Sequence, residues 1–210
     1  MITRRTALLF CLALVGPSVN SPCWSASARI DGASVRDVIQ VDGTTLVLNG
    51  AGYRKRGYHK YCVQAVYIQE RRTTLEGVIQ QAGTKRIALH VLRDIPGSLV
   101  AKHFVSDLQE VMTEAERKSL VTEIGLLGGA FGSIYHLNKG DIINIDYLPS
   151  KGIAASLNDK PIALGDGTQF LRSEELYRVL IKLHAGTALS EELQQNMLGT
   201  SRSMWTDTTR

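Results

Sequence analysis

The stretch from Thr44 to Gln69 constrains the fold most strongly, because it predicts two long neighbouring strands. Its second half alternates two sets of side chains from Tyr61 to Ile68 and is rich in aromatic and β-branched residues, as strands are. Arg54-Lys55-Arg56-Gly57 separates the two halves and predicts a hairpin turn. The stretch therefore predicts an antiparallel pair of strands.

Outside this pair, the spacing of apolar residues changes from a period of two to a helical period and back again. We predict further strands at 35–41, 86–92, 141–148, 153–157 and 160–164, and helices at 74–81, 100–111, 120–127, 176–183 and after the capping residue Ser190. The charged segment 114–118 is interpreted as a link between two helices or as a break within one. This order lacks the regular alternation of a doubly wound fold and predicts the α+β class, with an antiparallel β-sheet covered by a layer of helices.

The N-terminus has the three zones of a secretory signal peptide. A basic start at 1–5 is followed by an apolar run at 7–15 and by Ala26-Ser27-Ala28, which predicts a cut after Ala28. The apolar run is about nine residues long, too short to span a hydrocarbon core of roughly 30 Å. Cleavage leaves one domain at 29–210 without a transmembrane segment, and we expect its tail after about residue 200 to be loose.

Three alternatives to this ordinary cleaved signal are weaker. They are an uncleaved anchor, a twin-arginine tag at Arg4-Arg5, and a lipid anchor on Cys23, which lacks the small residues that should precede it. Loss of Arg4 and Arg5 lowers the formal net charge from +4 to +2 (4 − 2). Cys62 is then the last of three cysteines, so an intramolecular disulfide is excluded and the thiol is expected to be a small buried hydrophobe.

The sequence contains none of the residue spacings that are typical of metal-binding or nucleotide-binding motifs. The five histidines are scattered, without the spacing of three or four residues that puts two ligands on one helix face. The glycine-rich stretch 125–132 lacks the Lys-Ser or Lys-Thr of a phosphate loop. We therefore predict neither a metal nor a cofactor.

A basic cluster surrounds the predicted hairpin turn, with Arg54, Lys55, Arg56, His59 and Lys60 among three tyrosines. Such a cluster suits a solvated hairpin tip, and alternatively a nucleic acid or an anionic membrane surface. Export argues against nucleic acid, so no nucleic-acid partner is predicted.

Arg54 differs from its basic neighbours in its expected surroundings. Strand alternation places it on the face of Leu46, Leu48, Gly50 and Gly52. Two glycines leave room beside the guanidinium, and that room suits a carboxylate or phenolate ligand, with a packed core as the alternative.

Several short motifs are spread over nearly all of the chain after residue 28. They are Leu48-Asn49-Gly50-Ala51-Gly52-Tyr53-Arg54, Tyr67-Ile68, Lys139-Gly140-Asp141, Tyr147-Leu148-Pro149, Gly152 and Met197-Leu198-Gly199. In their order and spacing the chain resembles the chalcone isomerase family, and most closely its bacterial exported branch, the chalcone isomerase-like proteins. The resemblance implies an antiparallel sheet with a helix layer, enclosing a cleft for an aromatic or fatty ligand, in a periplasmic or secreted bacterial protein.

The resemblance also implies roles for single residues. Arg54 would face the cleft, steadying a phenolate and enolate in an isomerase or pairing with a carboxylate in a fatty-acid-binding relative. Cys62 falls where the plant enzymes have a threonine, the segment 96–108 contains neither the expected tyrosine nor asparagine, and the last polar position falls at 179–181. The predicted ligand-binding residues are Arg54, Cys62, Gly50 and Gly52, and Arg54 is the one catalytic candidate if the protein is an enzyme.

The absence of these polar residues of the plant enzymes favours a noncatalytic, exported protein that binds a small amphipathic anion, such as a fatty acid. The first alternative is a weak intramolecular lyase acting on an aromatic enone, an isomerase activity of the chalcone isomerase type. The second is a cell-envelope protein that binds a partner through the basic hairpin at 55–60.

Overall fold

The computed structural model describes residues 27–165 and 167–201. Most of the predicted signal peptide and of the predicted loose tail lies outside these residues. Ser27 and Ala28 belong to the first described strand, so the predicted cut after Ala28 falls inside that strand.

Antiparallel pairing organises all the strands of the described residues. In chain order they are β1 (Ser27–Ile30), β2 (Ala33–Arg36), β3 (Val38–Val41), β4 (Thr44–Arg56), β5 (His59–Ile68), β6 (Lys85–Val91), β7 (Ile95–Pro96), β8 (His136–Leu137), β9 (Ile142–Leu148), β10 (Gly152–Leu157) and β11 (Lys160–Ile162). Seven of them form one sheet in the order β11-β10-β9-β6-β5-β4-β3, and β1-β2 and β7-β8 form two small ladders. The predicted antiparallel sheet is confirmed.

Six helices in the described residues complete the fold. They are α1 (Leu75–Gln80), α2 (Gly97–Val111), α3 (Glu114–Ser119), α4 (Val121–Gly132), α5 (Glu174–Ala185) and α6 (Glu191–Met197). The Ser190 hydroxyl accepts a hydrogen bond from the Leu193 amide, so the predicted N-cap is confirmed. None of these helices combines the length and the apolar composition needed to cross a bilayer.

Two predicted elements are divided differently in the structure. The single strand expected at 35–41 is split at Asp37, because β2 pairs with β1 whereas β3 pairs with β4 in the main sheet. The link expected at 114–118 is the helix α3, which a reciprocal capping box between Thr113 and Glu116 begins.

The sheet carries a different core on each face. On one face the helices bury the larger core, where the rings of Phe104 and Phe131 meet edge to face with centroids 5.0 Å apart. On the other face Leu46 and Leu48 pack with Val35 of β2 in a smaller core. The sheet is therefore covered by helices on one side and by the β1-β2 hairpin on the other.

A β-bulge in β4 decides which face its residues occupy. The cross-strand register shifts between Leu48 and Gly50, which leaves Asn49 as the extra residue. Leu48 consequently packs in the smaller core, whereas Gly50 faces the helices. The prediction that Arg54 shares a face with Leu46 and Leu48 is wrong, because alternation does not survive a bulge. Its shared face with Gly50 is confirmed.

The hairpin between β4 and β5 is tighter than the sequence suggested. Arg56 at the end of β4 pairs directly with His59 at the start of β5. The turn is therefore Gly57-Tyr58 and not 54–57, and Gly57 has the positive φ of 57° that a two-residue loop needs. This extension of the strands keeps Arg54 and Arg56 on one face, two residues apart.

Candidate functional site

A cavity of about 110 Å³ lies between the helix-facing side of the sheet and the helices α2, α4 and α5. Aliphatic and aromatic side chains form most of its wall, among them Leu89, Val91, Phe104, Phe131, Leu137 and Ile143. Arg54, Arg56 and Asp107 lie together at its border and form what we call the polar end. The cavity is thus an apolar space with charged groups at one place.

Asp107 of α2 joins the two arginines of the polar end. Its Oδ2 lies 3.0 Å from Nη2 of Arg54, and its Oδ1 accepts a hydrogen bond from Nη2 of Arg56. The side chains of Arg54 and Asp107 are only 21% and 12% exposed, so solvent screens this pair less than a surface pair. Two guanidinium groups share one carboxylate, which leaves the described charged residues of the cavity with one surplus positive charge (2 − 1).

Cys62 lies opposite Arg54 in the cross-strand register and also lines the cavity. It keeps some accessible surface because it borders the cavity. Burial among neighbouring groups nevertheless raises the pKa of its thiol to about 11, against a smaller lowering by the charge of Arg54. Near neutral pH the thiol is protonated and serves as a wall group, not as a nucleophile.

Gly50 and Gly52 do not provide the open space that the sequence suggested. A Cβ on Gly50 would lie 2.2 Å from the backbone oxygen of Asn196, and a Cβ on Gly52 would lie 2.5 Å from Cδ1 of Leu193. Both glycines therefore let α6 pack closely against β4. The expectation that they leave room for a ligand is wrong, because a helix remote in sequence fills that room.

His184 of α5 is a buried polar residue on the cavity wall that the sequence interpretation missed. Its Nδ1 lies 3.1 Å from Oε1 of Gln64, while Nε2 of Gln64 donates to the backbone carbonyl of His184 at 3.0 Å. Burial, with a smaller contribution from the charge of Arg54, lowers the pKa of His184 to about 3. The ring is therefore neutral at physiological pH.

His103 stands near the polar end, where its ring meets that of Tyr61 edge to face with centroids 5.8 Å apart. Burial lowers the pKa of His103, and the charge of Arg56 adds to this effect. In the described part of the chain, no group of three or more His, Cys, Asp or Glu side chains is placed to hold a metal ion.

Asp107 and His184 had a signal in the sequence that could have revealed them. Asp107 follows Phe104 by three residues and Val100 by seven, so it lies on the apolar stripe of its helix. His184 follows Leu180 by four residues and occupies the same kind of position. A polar residue on an apolar stripe is buried with a partner or beside a cavity. His184, not a residue at 179–181, is the polar cavity residue of this helix.

The basic hairpin is partly neutralised within the chain. Lys60 pairs with Asp31, and its ammonium lies 4.2 Å from the centre of the Tyr53 ring. Arg56 is bound by Asp107, and Tyr58 at the turn is fully exposed. The hairpin therefore presents less free positive charge than its sequence suggests.

Fold and cavity together define the class: an α+β protein in which an apolar cavity lies between a helix layer and one face of an antiparallel sheet. The family model described as chalcone isomerase-like matches residues 27–199. The chain belongs to the chalcone isomerase-like family, as its motifs suggested.

Among solved structures, the chain is similar to a fatty-acid binding protein of Arabidopsis thaliana. The TM-score is 0.64 at 12% sequence identity, and the match covers 82% of this chain and 95% of the other. At this identity the similarity establishes a shared fold. No curated protein sequence matches the chain.

Proposed function

We propose that this protein binds a small amphipathic anion, such as a fatty acid, with Arg54 holding the acid group and the apolar wall holding the tail. The surplus positive charge at the polar end is the observation that carries this proposal. A charge-assisted, bidentate contact with a guanidinium fixes a carboxylate in position. The fold shared with a fatty-acid binding protein supports the same ligand class.

Binding requires a change at the polar end. Arg54 already donates to Asp107, so the ligand's acid group has to share Arg54 with this carboxylate or replace it. Arg56 remains bound to the other oxygen of Asp107 and keeps that carboxylate partnered during the exchange. Binding then exchanges one ion pair for another and leaves no buried charge unpaired.

The size of the cavity sets the expected length of the tail. Its volume of about 110 Å³ is well below the roughly 300–1,000 Å³ of pockets that hold drug-sized ligands. A short or medium acyl chain therefore fits better than a long one, which would need wall residues such as Phe104 to move.

The test is direct analysis of ligands on the purified protein. Native mass spectrometry would identify small molecules that co-purify, and calorimetry would measure octanoate binding to wild type and to Arg54→Gln. Arg178→Gln is the matched control, because Arg178 makes the same kind of ion pair on an exposed face of α5. The proposal is supported if Arg54→Gln loses octanoate binding while Arg178→Gln keeps it. It is refuted if wild type carries no co-purified ligand and also fails to bind octanoate.

Export belongs to the same proposal, with binding taking place outside the cytoplasm. It is supported by the basic start, the apolar run and the small residues that precede the expected cut after Ala28. Sequencing the N-terminus of the protein recovered from the periplasm or medium tests it, since a retained Met1 would contradict cleavage.

A further inference from the structure

The hydrogen bonds of Gln64 and His184 determine the tautomer of the imidazole. The backbone carbonyl of His184 can only accept, so the Gln64 atom 3.0 Å from it is the amide nitrogen. The other amide atom, Oε1, then faces Nδ1 of His184 at 3.1 Å and must accept a hydrogen bond from it. The proton of the neutral ring is therefore on Nδ1, and Nε2 carries a lone pair.

This lone pair is buried without a donor. Within residues 27–165 and 167–201, no protein group makes a hydrogen bond to Nε2 of His184. The residue is 3% exposed and lines the cavity whose polar end carries Arg54, whereas Nε2 itself has less than 1 Å² of accessible surface, so a ligand group reaches it only when a neighbouring wall side chain moves. A buried acceptor without a partner is destabilising, so the site is incomplete as it stands.

We propose that the ligand carries a hydroxyl group close to its acid group, and that this hydroxyl donates a hydrogen bond to Nε2 of His184 while the acid group binds Arg54. The ligand class is then the hydroxylated amphipathic acids, of which a hydroxy fatty acid is the simplest. This inference rests on the proposed function and names the ligand class for the same cavity.

Arg54 and His184 require different hydrogen-bonding groups on the ligand, an acceptor for Arg54 and a donor for His184. Arg54 offers only donors, whereas His184, held by Gln64, offers only an acceptor. A plain fatty acid satisfies Arg54 but leaves Nε2 buried and unpaired. Sites built to bond a hydroxyl discriminate strongly against the analogue that lacks it, because their own polar group is left without a partner.

The first experiment leaves the protein unchanged and varies the ligand. Calorimetry compares octanoate, 3-hydroxyoctanoate and 3-methoxyoctanoate, the last of which keeps the oxygen but cannot donate. We expect 3-hydroxyoctanoate to bind about five- to tenfold more tightly than both others, the effect of one hydrogen bond. Nitrogen NMR of the imidazole should show a protonated Nδ1, and an Nε2 signal that shifts only with the hydroxylated ligand.

His184→Phe provides the matched variant, since it keeps a ring on the wall and removes the acceptor. The readout is the ratio of the affinities for 3-hydroxyoctanoate and octanoate measured on the same variant, and this ratio should fall from about five- to tenfold to about one. Should the variant fail to fold, the NMR measurement on wild type still decides the matter, and a proton on Nε2 would overturn the inference.

Two further outcomes separate this inference from the proposed function. Equal binding of all three ligands would overturn the inference and leave anion binding intact, as would be seen if a water or a protonated acid group satisfies Nε2. Binding of none of them would refute the proposed function, and the inference with it.

Discussion

Arg54 of β4 and Asp107 of α2 form an ion pair of 3.0 Å at the polar end of the cavity, although they lie on different layers of the fold. Arg56 binds the same carboxylate from the other side. The residue expected to anchor a ligand is therefore already engaged. On the proposed function, a ligand's acid group has to compete with Asp107 for Arg54, so the strength of this ion pair would limit the affinity.

Replacing Asp107 with Asn should strengthen anion binding while it weakens the fold. Removal of the competing carboxylate should raise octanoate affinity about tenfold, which corresponds to about 1.4 kcal/mol. The two arginines lose their counter-charge, so the free energy of unfolding should fall by about 2 kcal/mol. Calorimetry and urea denaturation measure the two effects. Glu174→Gln is the control, because it removes the carboxylate of the exposed ion pair with Arg178, and unchanged or weaker binding in Asp107→Asn would contradict the competition.

The close packing of α6 against β4 predicts a graded effect of two glycine substitutions. Gly50→Ala should lower the free energy of unfolding by about 3 kcal/mol, because the new Cβ meets the backbone of Asn196. Gly52→Ala should cost only about 1 kcal/mol, because it meets the side chain of Leu193, which can move.

Gly129→Ala serves as the control for these substitutions. It lies in α4 with open space around it and should stabilise the helix by up to about 1 kcal/mol. Urea denaturation compares the three variants with wild type. A Gly50→Ala protein as stable as wild type would show that α6 is not packed against β4 in this way.

His184 should make the stability of the protein depend on pH. Its pKa is lowered from 6.5 to about 3 in the folded chain, so between these values the unfolded chain binds more protons. The free energy of unfolding therefore rises with pH between about pH 3 and pH 6.5. The stability that the neutral imidazole contributes is lost as the pH falls through this range. From about pH 7 to about pH 4, His184 should account for a loss of about 3 kcal/mol.

Burial also lowers the pKa of His90, but it does so in both wild type and His184→Phe. The difference in stability between the two proteins therefore isolates the contribution of His184. Denaturation curves at several pH values give the slope. If His184→Phe keeps the pH dependence of wild type, His184 is not held neutral.

We expect no efficient cyclisation of chalcones. Ring closure needs several donors aimed at the developing enolate, and Arg54, the one candidate, is bound to Asp107. Cys62 stays a neutral thiol, and the ring of Tyr61 packs against His103. A spectroscopic assay should show flavanone formation at the rate of buffer. A rate well above it, lost in Arg54→Gln but kept in Arg178→Gln, would favour the lyase alternative.

How far the sequence predicted the site depends on the distance over which each contact acts. The shared face of Arg54, Gly50 and Gly52 followed from their two-residue spacing, which is local. The bulge at Asn49 was invisible, because its side chain donates to the backbone of Met197 from the other end of the chain at 2.8 Å. Alternation predicts faces only as long as the strand stays regular.

The sequence by itself determined the α+β class, the antiparallel pairing, the cap at Ser190, the membership of the chalcone isomerase-like family and the shared face of Arg54 with Gly50 and Gly52. These depend on local periodicity and short motifs. Only the tertiary structure decided that Asp107 pairs with Arg54, that α6 fills the space over Gly50, and that Gln64 orients His184. Periodicity tells which side of an element is buried, whereas the element that covers it is chosen by packing between segments far apart in the chain.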